Sequence, residues 1–173
     1  MIDYSKVLRQ LDSTWCVEFK GSAQEATGCA YKWSDAGFTV RIVRGQKMRQ
    51  YQGLFDEFAA ALQFPWYFGE NGNAFDECIS DLSWLQPLAG YVLVIMHSAD
   101  TLADTEDDGL TWLVRSLSDA ATEFARSTRA EGRNGGAPVA FHIVLQFEEA
   151  DANVAQQRWA AAGASIGIGR GHG

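Results

Sequence analysis

The chain has 173 residues, 47% of them hydrophobic and 21% charged, which is enough apolar material for the core of one ordinary domain. Its formal net charge of −8 argues against direct binding to nucleic acid or to a membrane surface, since both require Lys and Arg. No segment has the ~18 apolar residues of a membrane helix, and the N-terminus lacks the pattern of a secretory signal. The three cysteines do not suit a disulfide scaffold, so we expect a cytoplasmic protein that is monomeric when free.

The first part of the chain predicts one helix and three strands. Residues 4–11 carry apolar side chains at three- and four-residue spacing, which indicates a short helix. Two aromatic-rich segments, 15–19 and 28–33, predict the strands of a hairpin. We therefore predict a helix-plus-hairpin extension over residues 1–37, packed on the same domain. Residues 38–44 alternate apolar and polar side chains and predict the next strand.

The remainder of the chain alternates predicted helices and strands. Helices are expected over 54–64, where Pro65 ends the helix, from Asn71 or Asn73 to about 85, and over 107–130 and 151–162. The nearly continuous apolar runs 91–97 and 139–147 are typical of strands that are covered on both faces. This order predicts an α/β fold, with a small, mainly parallel sheet of about three strands flanked by helices. We place the main domain at 38–162 and a flexible Gly-rich tail at 163–173.

Acidic residues are concentrated in the middle of the chain. Between Arg49 and Arg115 there is no Lys or Arg, whereas Asp and Glu are frequent. One interpretation is a solvated acidic surface that keeps the protein soluble. The other is a surface that is complementary to a basic partner, because opposite charges steer association. Composition alone leaves both open.

Known catalytic and metal-binding patterns do not fit. The segment Gly163–Gly167 matches G-x-S-x-G, but a predicted helix precedes it and no carboxylate follows it. Residues 104–109 resemble the start of a calcium loop, but Arg115 occupies the position that requires Glu. No Cys or His spacing suggests zinc. We predict no enzymatic activity, no metal and no cofactor; the alternative is an enzyme that uses paired acids such as Glu70 and Glu77.

The segment 64–85 has the most unusual composition. On a helical wheel, 73–85 has an apolar face, and its opposite face carries polar, acidic and aromatic side chains: Asn73, Glu77, Ser80 and Trp84, flanked by Asp76 and Asp81. Just before the helix stand Tyr67, Phe68, Gly69 and Glu70. An acidic helix face framed by aromatic residues suits an interface with a cationic protein. An acidic helix with buried aromatic residues is the alternative.

Three stretches, Tyr67-Phe-Gly-Glu-Asn71, Ala74–Cys78 and Asp81–Leu85, resemble the barstar family of ribonuclease inhibitors. The resemblance extends over roughly 38–147. In that family the signature loop and the following helix plug the active site of a secreted ribonuclease, where their carboxylates take the space of substrate phosphates. The resemblance makes interface candidates of Tyr67, Phe68, Asn73, Glu77 and Ser80, with Asp119 on the long helix near a further family acid.

The chain also departs from the family pattern. After the signature Asn, the family usually has an apolar or aromatic residue and then Asp, whereas this chain has Gly72 and Asn73. One anion is thereby lost, and Gly72 loosens the start of the helix. Glu77 is one methylene longer than the Asp of barstar itself.

The resemblance implies a cytoplasmic immunity protein that binds a basic protein toxin, a ribonuclease, in a 1:1 complex and occludes its active site. The alternative keeps the fold but makes the protein a regulatory or scaffolding module with no nuclease target. The residues expected at the toxin interface are Tyr67, Phe68, Gly69, Glu70, Asn73, Asp76, Glu77, Ser80, Asp81, Trp84 and Asp119.

Overall fold

A computed structural model describes residues 4–11, 14–106, 108–126 and 137–167. Within these ranges, six α-helices and five β-strands follow one another along the chain. Their order is α1 (Tyr4–Val7), β1 (Cys16–Lys20), α2 (Ala23–Asp35), β2 (Phe38–Arg44), α3 (Tyr51–Leu62), α4 (Gly72–Asp81), β3 (Gly90–Met96), α5 (Gly109–Ala125), β4 (Ala140–Phe147), α6 (Ala152–Ala161) and β5 (Ile166–Gly167).

The strands form one sheet in the order β2-β3-β4-β1-β5, and all of its described pairs are parallel. In the middle of the sheet, Val92 lies between Val40 and His142. β3 and β4 are buried along their whole length, as expected for parallel strands covered on both faces. The predicted α/β fold is confirmed, but the sheet has five strands rather than about three.

The predicted N-terminal hairpin is wrong. Residues 28–33 lie inside the helix α2, which begins with a capping box. The Ser22 hydroxyl accepts a hydrogen bond from the Glu25 amide at 3.2 Å, and the Glu25 carboxylate accepts one from the Ser22 amide at 2.8 Å. β1 is the predicted strand 15–19, but it lies parallel between β4 and β5 instead of pairing with a hairpin partner.

Helices cover both faces of the sheet. On one face, α3, α4 and α5 enclose the larger core. On the other face, a second core joins residues from the N-terminal elements, Tyr4, Leu8, Ala26, Ala30 and Trp33, to strand residues Phe38, Val92, Val94, Met96 and Val144. The fold therefore has three layers, and the N-terminal segment supplies the third.

Several predicted boundaries differ from the observed ones. α1 stops at Val7, earlier than the predicted 4–11, although Leu8 is buried. α5 spans less than the predicted 107–130, of which residue 107 and residues 127–130 lie outside the described residues. The tail was expected to be flexible from 163, yet its residues 166–167 form β5 beside β1, and 168–173 lie outside the described residues.

None of the helices in the described ranges combines the length and the apolar character needed to cross a bilayer.

Candidate functional site

The loop between α3 and α4 begins with a tight turn that is held on both sides by half-buried rings. The Phe68 amide donates a hydrogen bond to the Pro65 carbonyl at 2.9 Å, which closes the turn. The flanking rings of Phe64 and Phe68 meet edge to face, with centroids 5.0 Å apart. They also pack on core residues Phe75 and Phe55, at 6.1 and 5.9 Å. The turn therefore has a fixed base.

The tip of this turn presents two aromatic side chains to solvent. Trp66 is 95% exposed and Tyr67 is 68% exposed, and their rings pack edge to face at 5.9 Å. Phe68 was predicted at the interface, but it is half-buried and packs into the core. The aromatic residue that the sequence reasoning missed is Trp66, because a single residue inside the run 64–68 has no periodicity to mark it.

Asn71 connects the loop to α4. Its Oδ1 accepts a hydrogen bond from the Ala74 amide at 3.0 Å, and its Nδ2 donates one to the Gly69 carbonyl at 3.1 Å. Of the two candidate caps, the structure thus selects Asn71 over Asn73. The preceding residue, Glu70, is exposed and has a left-handed backbone with φ of 48°. The side-chain amide of Asn71 therefore orders both the last turn of the loop and the first turn of the helix.

We expect Asn71→Ala to lower the free energy of unfolding by about 1 kcal/mol, because the first turn of α4 loses its cap. Asn71→Asp is the matched control, since it keeps the capping oxygen and loses only the bond to Gly69. Urea unfolding of both variants tests this. Equal stability of Asn71→Ala and the wild-type chain would contradict a capping role.

α4 has one buried face and one exposed face, as the helical wheel predicts. Phe75, Cys78 and Ile79 are buried, while Asn73 and Glu77 are exposed. Burial raises the pKa of the Cys78 thiol, with smaller contributions from the neighbouring carboxylates of Asp81 and Glu77. Ser80 and Asp81 are half-buried at the end of the helix.

A hydrogen bond across two helices fixes α4 against α5. The Ser116 hydroxyl donates a hydrogen bond to Asp76 Oδ1 at 2.5 Å. Asp76 is half-buried, and this bond fixes the position of its side chain. Asp119 follows three residues later on the same side of α5, and it is exposed. Spacing along α5 thus sets Asp119 one helical turn beyond Ser116, the residue that contacts α4.

The predicted position of Trp84 on the exposed helix face is wrong. α4 ends at Asp81 because Leu82 has a left-handed backbone with φ of 45°. Trp84 lies beyond the helix, where its Nε1 donates to the Leu62 carbonyl at 2.7 Å and its ring packs against Phe64. This tryptophan connects the ends of α3 and α4.

Four carboxylates elsewhere in the described part of the protein are paired with basic side chains. Arg44 pairs with Glu57, Lys20 pairs with Glu149 at 2.6 Å, and Arg49 pairs with two aspartates, Asp100 and Asp104. The hydrogen bonds from Arg44 hold the pKa of Glu57 below its usual value, and Arg49 does the same for Asp104.

By contrast, no described Lys or Arg forms an ion pair with Glu70, Glu77 or Asp119. All three are exposed. We call these three residues, together with the exposed Asn73, the acidic face. The aromatic turn at Trp66 and Tyr67 precedes it in the chain.

The described residues contain no group of three His, Cys, Asp or Glu side chains that could hold a metal ion. The exposed carboxylates stand on a helix face and a loop, which is a geometry suited to contact with another molecule.

Comparison with known protein families gives a match to part of the chain. The family model described as Barstar (barnase inhibitor) matches residues 38–146, well over half of the chain. No curated protein matches the chain. The matched range begins with β2 and ends in β4, so it contains the aromatic turn and the acidic face but not α1, β1 or α2.

Proposed function

Since the chain belongs to the barstar family, we propose that it is a non-enzymatic inhibitor that binds a basic ribonuclease. In this proposal the aromatic turn and the acidic face enter the active site of the ribonuclease and exclude RNA. Tyr67, Gly69, Glu70, Asn73, Glu77, Ser80 and Asp119 would form the direct contacts. Phe68, Asp76, Asp81 and Trp84 would support them from the more buried side.

The observation that carries the proposal is the set of unpaired carboxylates on the acidic face. Any basic side chain close by would neutralise them, as Arg44 and Arg49 neutralise their partners. A ribonuclease binds RNA phosphates through cationic side chains. Exposed carboxylates without an ion-pair partner can occupy the positions of those phosphates. The charge complementarity would also accelerate association.

The rigidity of the face supports the same function. The Asn71 cap, the hydrogen bond from Ser116 to Asp76 and the half-buried rings at the base of the turn all fix the surface before binding. Preorganised groups lose little conformational entropy in a complex, so more of the interaction energy appears as affinity.

We place the protein in the cytoplasm of the cell that it protects, as a monomer that forms a 1:1 complex with the toxin. All three cysteines, Cys16, Cys29 and Cys78, are free, which suits a reducing compartment.

A binding and inhibition assay tests the proposal. The full chain is titrated by calorimetry with barnase and with a panel of other basic secreted bacterial ribonucleases, and RNA cleavage is measured in parallel. We expect at least one ribonuclease to bind 1:1 and to lose activity in proportion to occupancy. If none of the ribonucleases in the panel binds the chain, the proposal is contradicted. Binding that leaves RNA cleavage unchanged would also contradict it and would favour a scaffolding role.

A further inference from the structure

We propose that Trp66 is a binding site for an arginine side chain of the basic partner, with Tyr67 bracing the indole from one side. This inference rests on the proposed function and specifies the chemistry of the partner at one edge of the interface. It concerns a residue of the aromatic turn that lies outside the acidic face.

The exposure of Trp66 stands out among the tryptophans of this chain. Three of the other five, Trp15, Trp33 and Trp159, are buried, and the remaining two are half-buried against the core. Trp66 alone is 95% exposed. A fully exposed indole contributes nothing to the core, and tryptophan is among the residues most enriched at the energetic centres of protein interfaces.

The turn holds Trp66 in place although nothing covers it. The hydrogen bond from the Phe68 amide to the Pro65 carbonyl closes the turn, and the half-buried rings of Phe64 and Phe68 anchor it to the core. Tyr67 contacts the indole edge to face, which restricts its rotation and leaves much of the indole surface open. The cost of ordering Trp66 on binding is therefore small.

The charge of the loop favours a cation as the ligand of Trp66. Glu70 follows in the same loop, is exposed and has no described Lys or Arg partner. A cation above an indole face is attracted by the negative face of the ring, and tryptophan is the strongest such site. Arginine is favoured over lysine, because its planar guanidinium stacks on the ring while its N–H groups remain available to a carboxylate.

The experiment compares variants of the full chain for binding to whichever ribonuclease is bound and inhibited in the assay above. Trp66→Ala is expected to weaken binding by about tenfold to thirtyfold, since a desolvated cation–π contact contributes ~2 kcal/mol. Trp66→Leu should weaken it as much, because leucine is apolar but has no aromatic face. Trp66→Phe should keep most of the affinity. The control is Leu88→Ala, which removes a side chain that is 94% exposed in the loop before β3 and should change nothing.

A double-mutant cycle identifies the partner group. Each arginine at the active-site rim of the ribonuclease is replaced with alanine and combined with Trp66→Ala. For one arginine, we expect that once it is replaced with alanine, adding Trp66→Ala hardly changes the binding affinity any further. Since Trp66 packs on no core residue, its variants should keep the wild-type unfolding midpoint.

Three results would overturn the inference while leaving the proposed function intact. They are unchanged binding by Trp66→Ala, wild-type affinity in Trp66→Leu, and the absence of coupling to any arginine. If the wild-type chain binds no ribonuclease, the proposed function itself fails, and that outcome is separate because it is visible before any variant is made.

Discussion

Replacing Trp33 with alanine is expected to lower the free energy of unfolding by about 3–5 kcal/mol, the usual cost of truncating a buried tryptophan. Trp33 is 5% exposed near the end of α2, and its ring packs edge-on against Tyr4 at 5.6 Å. Because domains of this size are stable by only about 5–15 kcal/mol, the loss would be a large share of the total.

The size of this effect follows from the position of α2. The helix lies outside the range that matches the family, yet it covers apolar residues of β2, β3 and β4 that lie inside that range. Without Trp33, the second core has a cavity between α2 and the sheet, and the surrounding side chains close it only in part. We therefore expect the N-terminal segment to contribute to the stability of the matched region.

Urea unfolding measures this effect, with Tyr31→Ala as the matched control. Tyr31 belongs to the same helix but is 71% exposed, so its truncation should cost less than 1 kcal/mol. If the two variants lose similar amounts of stability, the second core does not belong to the cooperative unit of the fold.

The second large effect concerns Glu77. We expect Glu77→Gln to weaken ribonuclease binding by about 30-fold or more, because cations of the partner would remain buried without their counter-charge. Truncating one member of such a pair costs ~2–5 kcal/mol, a range that rests partly on measurements of barnase with barstar, and each ~1.4 kcal/mol is a factor of ten. The change should appear mainly as faster dissociation.

Glu149→Gln is the matched control for Glu77→Gln. Glu149 is also an exposed glutamate, but it follows β4 and pairs with Lys20, so its neutralisation should leave affinity nearly unchanged. Stopped-flow or surface-based kinetics would separate the two rates. A Glu77→Gln variant that binds as tightly as the wild-type chain would show that α4 is not the inhibitory element.

The sequence predicts those elements well whose signals are local. The alternation in 38–44 matches β2 residue for residue, and the apolar runs give β3 and β4 to within one residue. By contrast, the aromatic content of 28–33 wrongly predicts a strand, although Ser22 and Glu25 form the pattern of a capping box. Helical spacing of Ala26, Ala30 and Trp33 was the second available signal.

Other features depend on contacts between distant parts of the chain. The parallel pairing of β1 with β4 leaves no mark in either segment, so the strand count was too low. The end of α4 depends on Leu82, whose carbonyl accepts a hydrogen bond from the Tyr91 hydroxyl at 3.1 Å. A helical wheel that is extended beyond Leu82 therefore assigns Trp84 to the exposed face of α4, although Trp84 lies outside that helix. The exposure of Asn73 and Glu77 was predictable because both lie on one regular helix.

The position of β1 has a consequence for the synthesis of the protein. β1 is translated long before its neighbours in the sheet, β4 and β5. At ~5–20 residues per second, the nascent β1 waits for β4 for on the order of ten seconds. β2 and β3 can pair earlier, whereas β1, with the buried side chains of Val17 and Phe19, has no strand to join. Until β4 is made, β1 is therefore an unpaired strand, and during this interval the nascent protein is exposed to chaperones and to aggregation.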